Sequence, residues 1–166
     1  GGWIRETHKH DAPVSYSRIV NESTNGFSSN RHNPGFILAS NDAGEDFGEV
    51  YGFNLIYSGN HYSAVERGNH DTLRIMSGIN PHCFLWKLGS GERFCTPQAI
   101  MSYSDEGLNG LSDNMHRFVN ENIVRGSYKG VERPIVINNW EAMMFNFNKQ
   151  KIAEFCNFFR TPQKII

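Results

Sequence analysis

Between Gly35 and Tyr103, apolar and polar side chains alternate with a period of two, the repeat of a strand that buries one face. Val50 to Ser58 is the clearest run, with Tyr51, Phe53, Leu55 and Tyr57 on one side and Val50, Gly52, Asn54 and Ile56 on the other. Gly35 to Ala39 precedes it, and Asn41-Asp42-Ala43-Gly44 supplies turn residues between the two. Tyr62 to Glu66 and Thr72 to Met76 follow, separated by Gly68-Asn69-His70-Asp71. Phe84 to Leu88 can pair with Arg93 to Cys95 across Gly89-Ser90-Gly91, and a last strand is predicted from Ala99 to Tyr103. Short strands at this spacing, with no helix between them, predict an antiparallel sandwich.

After Gly110 the period changes. Ser112 has the chemistry of an N-cap, and Leu111, Met115, Phe118, Val119 and Ile123 recur at helical spacing up to Arg125-Gly126. Pro134 then opens a continuous apolar run, Ile135-Val136-Ile137, closed by Asn138-Asn139 and Trp140-Glu141. Such a run reads as a strand buried on both faces of a parallel sheet, with proline tolerated at its first position. A second helix follows, capped by Asn148, with Ile152, Phe155, Cys156 and Phe159 on one side. One strand cannot make a parallel sheet, and an eight-stranded βα barrel needs about 250 residues. The strand therefore either joins the sandwich or opens a barrel in a larger protein.

Composition narrows the partners. With 16 Lys+Arg against 17 Asp+Glu the net charge is −1, which argues against nucleic acid and anionic membrane surfaces. No stretch approaches the ~20 apolar residues of a membrane span. The aromatic content, 12 Phe, 6 Tyr and 3 Trp, suits a β core or a sugar-binding surface. Cys83, Cys95 and Cys156 are odd in number and widely spaced, which predicts free thiols in a reducing compartment.

Most chemical candidates have a plain alternative. His8 and His10, next to Asp11, would share a strand face able to clasp a metal, but no third His or Cys lies nearby, and an exposed polar strand or loop explains them as well. Ser28 to Pro34 packs many hydrogen-bonding groups into a segment that is either a ligand loop or a capped turn. Asn21-Glu22-Ser23 matches a glycosylation sequon, read as coincidental. Sugar hydrolysis with retention requires two carboxylates ~5–5.5 Å apart. Glu45-Asp46 and Asp105-Glu106 sit in turns and read as solvated. Trp140 ends the apolar strand, where barrel enzymes place substrate contacts. Its indole can stack on a sugar beside the Asn amides, or simply fill a core.

Blocks in one order along the chain resemble the family 36 glycoside hydrolases, the bacterial α-galactosidases. They are SSNRHNP (Ser28 to Pro34), GEVYGFNLIYSGN (Gly48 to Asn60), GINP (Gly78 to Pro81), YSDEGLNGLS (Tyr103 to Ser112) and RPIVINNWEA (Arg133 to Ala142). The resemblance runs from Trp3 to about Phe155. It implies a mainly β fold: an antiparallel β-supersandwich over 1–111, a connecting helix and linker over 112–130, and the first βα unit of a (β/α)8 barrel over 131–166. It further implies a parent enzyme that releases terminal α-linked galactose from melibiose- and raffinose-type sugars with retention, without metal or cofactor. By the same resemblance the catalytic aspartates lie on later barrel strands, so no catalytic residue falls here. Trp140, with Asn139 beside it, is the implied sugar contact. The parent is expected to be a cytoplasmic bacterial homo-oligomer, commonly a tetramer.

The chain departs from the family at Met143-Met144-Phe145-Asn146-Phe147, where a Thr-Tyr-Phe-Asp-Phe-like text is usual, and over Asn157 to Ile166. A stand-alone carbohydrate-binding sandwich and an oligomerisation domain stay open as alternatives. So do galactosyl transfer and action on N-acetylgalactosaminides.

Overall fold

The computed structural model describes residues 11–160 apart from 16, 30, 31, 133–135 and 137. They form two compact units, Gly1–Glu121 and Asn122–Ile166. In the first, six strands make two antiparallel three-stranded sheets. One sheet holds β1 (Ile19–Glu22), β4 (His61–Arg67) and β5 (Leu73–Ile79), in the order β1-β4-β5. The other holds β2 (Gly35–Ala39), β3 (Val50–Ile56) and β6 (Gln98–Ser104), in the order β2-β3-β6. The predicted β-rich class is therefore observed. β2 has the predicted bounds, and β3, β4, β5 and β6 lie within a few residues of theirs.

The period of two explains the second sheet. Register places Leu38, Tyr51 and Tyr103 side by side, and likewise Phe36, Phe53 and Met101. Ring pairs strengthen both rows, Phe36 with Phe53 at 5.0 Å and Tyr51 with Tyr103 at 4.9 Å. The opposite face carries Val50 and Gly52 and receives the helix α1 (Gly107–Phe118). A Cβ on Gly52 would stand 3.2 Å from Leu111, so the glycine lets the buried Leu111 side chain reach the sheet. The buried apolar core among the described residues is small: Val50, Leu55, Ala64, Val65 and Leu111. The sheets are tied at one corner, where Asn21 on β1 donates its amide to the carbonyls of Asn33 (2.7 Å) and Gly35 (3.4 Å). With Ser23 buried, the Asn21 and Ser23 side chains of the sequon both serve the fold.

Two predictions need correction. The helix starts at Gly107, and Ser112 lies inside it rather than capping it. Its first N–H groups are satisfied by a distant turn: Gly107 N–H bonds to Gly48 O (3.1 Å), Leu108 to Gly44 O (3.1 Å) and Asn109 to Glu45 O (2.8 Å). Main-chain acceptors thus replace the side-chain cap that a free helix end requires. Gly107 has φ +69° there, a conformation suited to glycine. The helix then loosens into a π-helical turn, Val119–Ile123.

The second correction concerns Phe84 to Cys95. The chain does reverse, with Glu92 N–H on Gly89 O (3.2 Å), and Phe94 packs against Trp86 (4.9 Å) and Phe84 (6.1 Å). No ladder forms among these described residues. Glu92 takes the Gly89 N–H with its side chain at 2.9 Å, and Cys83 at φ 55° turns the incoming arm away from an extended path. The segment stays largely exposed, Leu85 at 93%.

In the second unit, a 3-10 turn Gly126–Tyr128 precedes two helices, α2 (Trp140–Met143) and α3 (Lys149–Arg160). The Asn148 cap on α3 is present, its Oδ1 accepting the Lys151 N–H at 2.9 Å. The predicted apolar strand, Ile135 to Ile137, falls outside the described residues except for Val136, which is exposed.

Candidate functional site

Asn138, Asn139 and Trp140 stand together at the start of α2, within the second unit. Asn138 closes a side-chain turn just before the helix, its Oδ1 accepting the Trp140 N–H at 3.0 Å. The Asn139 carbonyl accepts the Met143 N–H at 2.9 Å and the Trp140 carbonyl the Met144 N–H at 2.8 Å, closing a single helical turn. Met144 leaves that turn at φ 47°, ψ −120°, and this reversal returns Phe145 beneath the indole. The two rings meet edge to face at 4.9 Å and 87°. Asn146 is held in turn by Lys151, whose Nζ donates to its Oδ1 at 2.9 Å.

The indole is braced on one edge yet 45% exposed, and Asn139 is half-buried beside it. An aromatic surface with neighbouring amides is the equipment for holding a pyranose: apolar C–H groups on the ring, hydroxyls on directional donors and acceptors. Such an arrangement binds and orients. It supplies no proton transfer or nucleophile.

The other candidates are placed as follows. His8 and His10 lie outside the described residues, and among those described no cluster of three or more His, Cys, Asp or Glu side chains could hold a metal. Ser29 and His32 form an isolated antiparallel bridge that narrows the Ser28–Pro34 segment. The turns bearing Glu45-Asp46 and Asp105-Glu106 meet at the base of α1, where Gly48 bridges Glu106 and Asp46 accepts the Asn109 amide at 2.8 Å. All four carboxylates are exposed there. Cys83, Cys95 and Cys156 are free and exposed. No described helix is long and apolar enough to cross a membrane.

A buried polar knot went unnoticed in the sequence. Asn80 donates its amide to Glu22 Oε2 (2.9 Å) and to the carbonyls of Ser23 and His61 (both 3.2 Å), joining β1, β4 and the end of β5. His61 is fully buried at its centre. Burial first, and His32 second, push the His61 pKa below its usual 6.5, while Glu22 opposes them. The only sequence signal is an Asn-His pair following Ser58-Gly59, which is an unremarkable turn text.

Comparison with known proteins accounts for both units. Residues 1–89 match the glycosyl hydrolase family 36 N-terminal domain, and residues 93–161 match the melibiase family. Alpha-galactosidase AgaA of Geobacillus stearothermophilus is 42% identical over 165 residues, which is 99% of this chain and 22% of that protein. The crystal structure of the alpha-galactosidase from Lactobacillus brevis superposes with a TM-score of 0.81 at 40% identity, covering 95% of this chain and 21% of its own. An AgaA variant solved in complex with raffinose gives 0.77 at 43% identity, over 88% of this chain and 20% of its own. The chain thus spans about a fifth of the length of these relatives. With one family model covering more than half of its residues and a second beginning four residues further on, the chain belongs to glycoside hydrolase family 36.

Proposed function

We propose that this chain is the sandwich and barrel-entry portion of a retaining α-galactosidase acting on raffinose-type oligosaccharides. The observation that carries this is the uninterrupted succession of the N-terminal-domain and melibiase matches along one chain. The exposed aromatic row on the second sheet supports it. Tyr51, Tyr103 and Met101, the last 71% exposed, leave an apolar face of a kind that larger proteins cover. Within the whole enzyme Trp140 is the platform for the terminal galactose, and Asn139 its amide neighbour. Hydrolysis depends on aspartates beyond this segment, so the chain alone binds no galactoside tightly and cleaves none. The parent acts as a homo-oligomer.

The test has two parts. The isolated chain should release no nitrophenol from p-nitrophenyl α-galactoside; release in proportion to its concentration would overturn the proposal. In an in-frame protein carrying the rest of the barrel, Trp140→Ala should lower kcat/KM for raffinose about tenfold or more, each tenfold corresponding to ~1.4 kcal/mol of lost contact. Unchanged kinetics would remove Trp140 from the site. Tight galactose binding by the isolated chain, followed by tryptophan fluorescence, would instead favour a free-standing binding module.

A further inference from the structure

His61 is 0% exposed, and neither ring nitrogen has a hydrogen-bond partner among the described residues. Buried polar atoms of this kind are rare and costly. The ring sits where main-chain and side-chain bonds converge from three parts of the first unit. The His61 carbonyl accepts the Ser23 N–H (3.0 Å) and the Asn80 amide (3.2 Å). Asn60 accepts the Asn80 N–H on its carbonyl (2.9 Å) and the Gly26 N–H on its side chain (2.6 Å). Ser23 donates to Phe27 O (2.6 Å), and Asn80 Oδ1 accepts the His82 N–H (2.9 Å). These bonds fasten the starts of two irregular segments, one leaving β1 at Ser23 and one leaving β5 at Asn80.

We propose that His61 is a proton-operated latch: uncharged, it locks both segments to the end of the first sheet, and protonation releases them together. The imidazolium carries two N–H donors and a charge. Among the described residues no acceptor is bonded to either nitrogen, so charging the ring in place would leave buried donors unsatisfied, and moving toward water relieves that cost. Moving it displaces the Asn60–His61 main chain, on which four of the bonds above depend. Among the described residues, two titratable groups act on the ring. Glu22, on β1, favours the charged form, and His32, beyond the first segment's turn, disfavours it. Burial outweighs Glu22, and the pKa is lowered from 6.5. The folded state therefore holds its proton less readily than the unfolded chain. The latch is fully closed above pH 6.5 and weakens as pH falls through the lowered value, opening rising up to tenfold per pH unit in that window.

The test is amide exchange of the full chain on either side of pH 6.5, normalised to intrinsic rates. On acidification, peptides around Gly26-Phe27 and His82 should lose protection together, while β3 and β6 keep theirs. His61→Phe, with an uncharged ring of similar size, should abolish this dependence. If that variant does not fold, a titration of the His61 ring by NMR in the native chain and in Glu22→Gln decides. The native midpoint should fall below 6.5 and drop further in Glu22→Gln, carrying the exchange window with it. A midpoint at or above 6.5, or the same acid-induced loss in His61→Phe, would overturn the latch.

Discussion

Replacing Gly107 with Ala should be among the most damaging single-methyl changes in this chain. At φ +69° an L-residue is strained, at a cost of about 1–2 kcal/mol. The larger effect is steric. The added Cβ would lie 2.6 Å from Gly44 O, 2.6 Å from Phe47 N and 2.7 Å from Glu45 O. All three are backbone atoms, so no side chain can swing aside and the helix end must retreat from the turn. That retreat loosens the three main-chain bonds capping α1, at about 1 kcal/mol each. A total near 4–5 kcal/mol is a large share of a typical 5–15 kcal/mol fold stability. Gly26→Ala is the matched control: its φ of +90° carries the same strain, but nothing lies within 4 Å of the new methyl. Urea denaturation followed by far-UV circular dichroism reads both. For an m-value of about 2 kcal/mol/M, Gly107→Ala should lower the midpoint by roughly 2 M and Gly26→Ala by under 1 M. Equal midpoints for the two variants would refute the steric argument.

Two further predictions address the packing of α1 and the acid limb of stability. Leu111→Ala removes the buried side chain that α1 lays over Gly52 and should cost about 2–4 kcal/mol by the same denaturation assay. A cost below 1 kcal/mol would mean that the helix does not rely on that contact. Glu66 is bonded by Arg18 Nε at 2.7 Å and approached by Arg74 at 3.4 Å, and the Arg18 bond chiefly holds its pKa below 4.5. Its contribution is thus present above pH 4.5 and lost as pH falls through the lowered value. Melting temperature plotted against pH should be flatter over that window in Glu66→Gln; an unchanged slope would contradict it.

How far the sequence could be read depended on whether the cause of a feature was local. β2 and β3 announce themselves because alternation and the Asn41–Gly44 turn lie within one short stretch. The Asn148 cap is equally local and was legible for that reason. β1 was missed: Ile19–Glu22 is four residues, two apolar and two polar, and is a strand because β4 lies beside it. The start of α1 was misplaced at Ser112 because its acceptors come from Gly44, Glu45 and Gly48, which no local pattern reports. Phe84 to Cys95 has strand-like composition but lacks a ladder partner, so its aromatics pack on each other instead. The Asn139–Trp140 pair stands out as a candidate through the NNWEA text, whereas its brace by Phe145 depends on the unusual Met144 conformation. The knot around His61 draws on three separated segments, and none of them carries a signal alone.

The borrowed capping of α1 also orders events in time. A helix closing its own first turn can form before anything else, but this one finds its acceptors only after the turn beyond β2 is in place. β3 must likewise gather β6 from far along the chain before Leu111 has a surface to meet. Long loop closures precede the reward, which is the topology that slows folding. The β2–β3 hairpin should therefore be structured at the folding barrier and α1 should condense afterwards. During synthesis, β2 and β3 can pair as they emerge, and α1 must wait for β6 to join them.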